Sequence, residues 1–145
     1  MGMFDAMNIS ATGMTAQQLR VDIISQNIAN ANSTRGQDGD CYRRKTVVMA
    51  EKGQTAFGSV LQTCMGQRFT GVKVTDIATD MSDLKMVYDP DHPDADENGY
   101  VSYPNVDTVQ EMTDMIDASR SYEANVTAFQ ATKSMATKGL ELLQV

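Results

Sequence analysis

The run Asp94-x-Asp96-x-Asn98-Gly99 has the spacing closest to a chemical site. Side-chain oxygens at alternate positions, followed by glycine, form the first half of an EF-hand calcium loop. Val101 stands where that loop's short strand would run. The second half departs from the pattern. Asn105 occupies the twelfth position, where a bidentate Glu is needed, and Pro104 precedes it. Pro90 and Pro93 exclude a conventional entering helix. The segment reads first as an acidic turn held by Asx hydrogen bonds, with weak calcium binding as the rival.

Nucleophilic catalysis has less to build on. His92, the single histidine, lies between Asp91 and Pro93. A Cys64–His92 or Ser–His pair can be drawn, but no nucleophile elbow accompanies it. No glycine-rich phosphate loop and no zinc ligand set is present. The carboxylates from Asp89 to Glu97 read as a solvated loop rather than an acid/base pair. Cys41 and Cys64 are isolated and read as free thiols, with a single disulfide left open. No catalytic residue, cofactor or metal site is expected, so the chain reads as an assembly subunit rather than an enzyme.

Composition narrows the partners. Twelve Lys and Arg stand against nineteen Asp and Glu, a formal charge of −7. Phosphate backbones and anionic lipid repel such a chain, which argues against nucleic acid and membrane surfaces. The one basic run, Arg43-Arg44-Lys45, reads as a solvated strand face. Eleven Met and no Trp suit surfaces that adapt to several neighbours. No segment approaches the roughly 20 apolar residues of a membrane span, so direct membrane insertion is not expected. The first cation is Arg20 and no apolar h-region precedes it, so no cleavable signal peptide is expected.

The elements follow from periodicity. From Met3 to Ala31, Met7, Met14, Val21 and Ile28 recur every seven residues. Ile24 and Ala31 fall between them, and Ser10 and Gln17 weaken the earlier turns. This is the a/d pattern of a helical seam, with Leu19 and Ile23 outside it. Asn27, Asn30 and Asn32 then end the helix; they read as turn residues or as hydrogen-bonding groups toward another chain. From Asp107 to Leu143 the design repeats. Met115, Tyr122, Phe129, Ala136 and Leu143 are interleaved with Met112, Ser119, Val126, Lys133 and Leu140. Asp107 or Thr108 can cap the start with help from Glu111.

Between the helices the period shortens. Tyr42–Ala50, Phe69–Ile77 and Leu84–Tyr88 read as strands, and Ala56–Gln62 as a weaker one. Gly66 and Gly71 mark turns or bulges, and 89–105 reads as a loop. The fold class is α+β: long N- and C-terminal helices paired as a coiled coil, with a small β-hairpin region between. The divisions are 1–35, 36–105 and 106–145. Both helices carry apolar strips wider than one seam covers, so stable folding is expected to require partners.

The sequence also resembles a known family. Ser25-Gln26-Asn27-Ile28-Ala29-Asn30-Ala31-Asn32, followed by Tyr42-Arg43-Arg44-Lys45, is similar to the N-terminal signature of flagellar basal-body rod proteins. That signature is shared by rod, hook and hook-associated axial proteins. Tyr88-Asp89-Pro90-Asp91-His92-Pro93-Asp94-Ala95-Asp96, Asn98-Gly99-Tyr100-Val101 and Tyr103-Pro104-Asn105-Val106 resemble the proximal-rod members. So does the stretch from Glu111 through Ala118-Ser119-Arg120-Ser121-Tyr122-Glu123-Ala124-Asn125-Val126.

The resemblance implies a structural subunit of the proximal rod, exported without a cleaved signal and assembled in the periplasm into a hollow, torque-bearing helical tube. It implies as partners other copies of the chain, other rod proteins, and inner-membrane ring and export-gate components. Subunit packing is expected through Met7, Met14, Val21, Ile24, Ile28, Met112, Met115, Tyr122, Val126, Phe129, Leu140 and Leu143. Met14, Val21 and Ile28 are expected against Tyr122, Val126 and Phe129. The rival readings are another axial protein, a calcium-binding adaptor and an enzyme of unknown type.

Overall fold

The computed structural model describes residues 3–36, 40–52 and 71–143. The expected strand at Ala56–Gln62, the turn at Gly66, and Cys64 lie outside the described residues. Among the described residues the order is α1 (Met3–Ala29), β1 (Lys45–Glu51), β2 (Val72–Thr79), β3 (Lys85–Tyr88), β4 (Tyr100–Tyr103) and α2 (Thr108–Leu143). The α+β arrangement expected from periodicity is what the chain adopts.

Straight-chain residues and the lack of proline let α1 run 27 residues, about 40 Å at 1.5 Å per residue. It stops where Asn30 and Ser33 close successive turns. Ala31 N–H donates to Ile28 O at 3.2 Å and Ser33 N–H to Asn30 O at 3.0 Å. The 36 residues of α2 span about 54 Å. Its cap is Asp107, whose Oδ1 accepts from Val109 N–H at 3.0 Å. Glu111 does not assist that cap; its side chain turns inward.

The helices run antiparallel. Asn27 lies against Glu111 and, two heptads away, Gly13 lies against Asn125. Ser25 Oγ sits 3.9 Å from Met115 Sδ at an intermediate level. In this register Met3 is level with Met135, so the last turns of α2 extend past the start of α1.

Strands β1 and β2 pair antiparallel, Lys45 opposite Thr79 and Glu51 opposite Val72. A bulge at Thr75 shifts the register between Val48 and Met49, and Thr75 Oγ1 donates to Val48 O at 3.1 Å. Strands β3 and β4 form a second antiparallel ribbon, Lys85 opposite Tyr103 and Tyr88 opposite Tyr100. β4 corrects the expectation of a loop throughout 89–105. Tyr100-Val101-Ser102-Tyr103 is rich in residues that favour pleated structure. Gly99, at φ +78°, turns the chain into it, and a Cβ there would meet Tyr88 Cε2 at 3.0 Å.

Candidate functional site: a buried polar junction and outward apolar faces

A line of α1 with contacts to α2 at Gly13, Arg20 and Asn27 stands one residue before the expected Met14, Val21 and Ile28. It runs through Ala6, Ile9, Gly13, Ala16, Arg20, Ile23 and Asn27. Ala16, Ile23 and Asn27 are buried, and the others are half-buried. Its counterpart on α2 runs through Glu111, Met115, Ala118, Tyr122, Asn125, Phe129, Thr132 and Ala136. Glu111 and Ala118 are wholly buried there. Both lines alternate steps of three and four, as a helical seam must.

Small, polar or charged residues hold ten of these fifteen positions. A Cβ added to Gly13 would come within 2.9 Å of Asn125 Oδ1, so the helices approach where glycine stands. Asn125 is held in place by donating from Nδ2 to Ser121 O at 2.8 Å. Pattern reading favours Met, Val and Ile, which stand one position along from Gly13, Arg20 and Asn27, while Ile24 of the expected seam is itself buried.

The polar end of the seam is built around Asn27, which is 1% exposed. Its Oδ1 accepts from Lys45 N–H at 3.0 Å and from Tyr42 Oη–H at 2.8 Å. Its Nδ2 donates to Lys45 O at 2.8 Å and Glu111 Oε2 at 2.9 Å. The amide thus meets both backbone groups of Lys45, as a neighbouring strand would, and its hydrogen-bonding capacity is full. This contact joins the end of α1, the start of β1 and the first turn of α2.

Glu111, fully buried, is satisfied from two sides. Besides Asn27, Arg44 Nε donates to Glu111 Oε1 at 2.6 Å. Arg44 reaches on to Asp114 Oδ2 at 3.4 Å, and Arg20 approaches the other oxygen of Asp114 at 3.7 Å. Arg44 N–H donates to Asn105 Oδ1 at 2.8 Å, and Asn105 Nδ2 donates to Asp80 O and Ser82 Oγ at 3.1 and 2.8 Å. Arg44 is therefore an internal tie, not part of a solvated strand face. A buried carboxylate is costly without such partners.

The junction also shifts ionisation. Burial, and then the nearby negative charge of Glu111, pushes the Tyr42 hydroxyl above the ordinary tyrosine value. The Asp80 carboxyl lies below its usual value because Ser82 N–H and then its hydroxyl stabilise the charged form. Cys41 is half-buried, with its thiol 3.3 Å from Ser102 O. Burial pushes its pKa up despite the opposing charge of Arg43.

The acidic loop joins the same end of the molecule. Thr34 Oγ1 donates to Asp94 Oδ2 at 2.9 Å and Arg35 pairs with Asp94 Oδ1. Asp94 N–H donates to His92 Nδ1 at 3.1 Å, a contact inside the turn. Asp94, the first residue of the half calcium loop, is thus engaged with the segment that follows α1.

The expected packing residues fall into several environments. Ile24 is buried. Met7, Met14, Val21 and Ile28 are half-buried on the face adjoining the inner line of α1. Met115, Tyr122 and Phe129 lie on the inner line of α2, and Val126 is half-buried beside it. Met112 and Leu140 are 52% and 63% exposed. The side chain of Leu143 lies outside the described residues. Phe129 is level with Ile9, about 28 Å along the axis from the level of Ile28, so those two do not meet within the chain. Asn30 Nδ2 donates to Gln26 O at 2.8 Å, while Asn32 is exposed. The roles of Glu111 and Arg44 were not foreseen; a charged residue at a seam step and one just before a strand are the signals that point to them.

Further apolar surface faces outward. Val109, Met112 and Ile116 form an exposed row on α2, and Met135 and Leu140 are exposed toward its end. Met86, Val87, Tyr88 and Tyr100 are exposed on the β3–β4 ribbon.

Comparison with known proteins places both helices. Residues 7–36 match the model for "Flagella basal body rod protein" and residues 97–142 that for "Flagellar basal body rod FlgEFG protein C-terminal". Flagellar basal-body rod protein FlgC of Bacillus subtilis is 47% identical, the alignment covering 96% of this chain and 97% of that one. The chain belongs to the FlgC family. The FlgC of Borreliella burgdorferi is 45% identical over 99% of each chain, and that of Salmonella typhimurium 39% over 99% of this chain and 100% of that one. Family membership makes the chain a structural subunit of the flagellar basal-body rod. The model matches contain α1 from Met7 onward with its Asn-rich turn, all of β4, and α2 as far as Leu142. Asn27 and Glu111, one from each matched region, meet in the junction.

Proposed function

We propose that this chain is a subunit of the proximal rod, and that its paired terminal helices line a hollow helical tube through which torque passes. The observation that carries this reading is the division of apolar surface on the helix pair. The seam within the chain is largely small and polar, while Val109, Met112 and Ile116 face outward and Met7, Met14, Val21 and Ile28 stay half-exposed. Exposed apolar surface of this extent is what neighbouring subunits cover.

In this reading the named packing residues that stay open, Met112 and Leu140 with the half-exposed Met7, Met14, Val21 and Ile28, make contacts between subunits. Assembly is heterologous, because head-to-tail contacts that do not close generate an open helix. The partners are other copies of the chain, other rod proteins, and components of the inner-membrane ring and export gate. The protein crosses to the periplasm without a cleaved signal and acts without catalysis. The segments 1–35 and 106–145 form the tube wall, and 36–105 projects from it.

Met112→Asp tests the proposal. At 52% exposure this side chain contributes little to the isolated fold. The expected result is a soluble variant with unchanged helicity that fails to enter isolated basal bodies and leaves cells non-motile. Normal incorporation would remove this face from the interface.

A further inference from the structure

Seven-residue apolar repeats leave two helices free to slip against each other by one heptad, because each slip restores a similar pattern. The structure contains a means of breaking that degeneracy. Asn27 meets Glu111 through a hydrogen bond of 2.9 Å, and fourteen residues away Gly13 makes room for Asn125. Both contacts belong to one register. The step between them puts Arg20 level with Ala118, which is wholly buried, and Arg20 reaches toward Asp114 at 3.7 Å. At these levels a small residue faces a larger one, or a donor faces an acceptor.

We infer that the Asn27–Glu111–Arg44 junction, seconded by Gly13 and Asn125, is a register lock that sets how far α2 extends beyond α1. A slip of one heptad in one direction puts Asn27 opposite Ala118 and strips Glu111 of its amide donor. It also moves the free end of α2 by about 10 Å. The energetic logic is specificity. A buried polar group contributes little net stability against a well-packed apolar substitute, yet mispairing it leaves a desolvated charge without a partner. The same junction fastens β1 through Lys45, so the strand also holds Asn27 at its level. The consequence for assembly rests on the proposed rod role, since the projecting turns with exposed Leu140 are what a neighbour would meet. The lock itself does not.

Disulfide trapping in the full chain tests it. In a background carrying Cys41→Ser and Cys64→Ser, Ala6→Cys with Thr132→Cys reports the observed register. Ala6→Cys with Gly139→Cys, and Ile9→Cys with Tyr122→Cys, report slips in the two directions. The unaltered junction is expected to cross-link at the first pair alone. Asn27→Leu combined with Glu111→Leu is expected to keep its helicity by circular dichroism and to cross-link at a slipped pair to at least a tenth of the native yield. A folded double variant that cross-links only in the native register would overturn the inference. Loss of helicity would overturn it too, by making the junction a source of stability rather than of register. Glu111→Gln, which keeps an acceptor toward Asn27, is expected to retain the native register; slippage in that variant would assign the lock to the Arg44 charge pair and remove Asn27 from it. Because the readout comes from the isolated chain, native-only cross-linking of a protein that never enters rods would sink the proposed function and leave the lock standing.

Discussion

Asn27 Nδ2 donates to Glu111 Oε2 at 2.9 Å, and both side chains are buried at the point where α1 ends, β1 begins and α2 starts. Through this one contact the two ends of the chain are joined by hydrogen bonding rather than by apolar packing. Asn27 also takes both backbone groups of Lys45. Deleting its side chain therefore strands several buried groups at once.

Asn27→Ala is expected to lower the unfolding free energy by roughly 3 kcal/mol, the upper range for leaving buried polar groups unsatisfied. Glu111→Ala removes one partner of a buried ion pair, where losses of about 3–5 kcal/mol are usual. Urea denaturation followed by far-UV circular dichroism measures both. A change below 1 kcal/mol in either would show that water replaces the lost groups.

Gly13 and Asn125 form a second testable contact. Gly13→Val places methyl groups where Asn125 Oδ1 stands and is expected to cost about 1–3 kcal/mol, as overpacking does. In an Asn125→Ala background part of that cost should disappear. A double-mutant cycle with a coupling energy near zero would show that the helices part freely at this level.

The pH dependence has a defined sign at each end. Burial and the charge of Glu111 raise the Tyr42 pKa, so the folded state favours the neutral phenol. That stabilisation is complete below the ordinary value of about 10 and is lost as pH rises through the raised one. Tyr42→Phe should therefore show a shallower alkaline decline in stability. For Asp80, whose pKa is lowered by Ser82, the contribution is present above the ordinary carboxylate value and is lost as pH falls. Asp80→Asn should flatten the acid limb. Parallel slopes in the variant and unaltered proteins would count against these assignments.

Asp94 links the acidic turn to Thr34 and Arg35. Arg35 is largely exposed, so the pair is screened, and Asp94→Asn is expected to cost about 1 kcal/mol or less. The sharper readout is local. Amide exchange in 31–36 and 89–99 should accelerate while α1 and α2 stay protected. Calorimetry with millimolar calcium should show no binding heat, because Asp94 is already engaged; a clear isotherm would restore the calcium reading.

Val126, half-buried beside the inner line of α2, lies at the margin between folding and assembly. Val126→Asp is expected to abolish incorporation into rods while leaving the isolated chain helical. Incorporation at normal levels, judged by immunoblotting of purified basal bodies, would exclude this position from the subunit contacts.

The residues by themselves determined the element types, because period and composition act locally. Sevens spacing and freedom from proline made α1 and α2 legible to within two residues at each end. The valines of β1 and β2 marked those strands. β4 was obscured because Pro90, Pro93 and the acidic residues before Gly99 dominate its neighbourhood. The signatures around Asn27 and Glu111 also carried the family. What only the tertiary structure decided is which helix face turns inward and at what register. Hydrophobic spacing favours the largest apolar residues, and on α1 it selected Met7, Met14, Val21 and Ile28. The structure shows the helices meeting where Gly13 admits Asn125 and where Asn27 and Glu111 satisfy each other. Side-chain size and hydrogen-bond complementarity are properties of a pair of positions about 84 residues apart in the chain, and no local period records them.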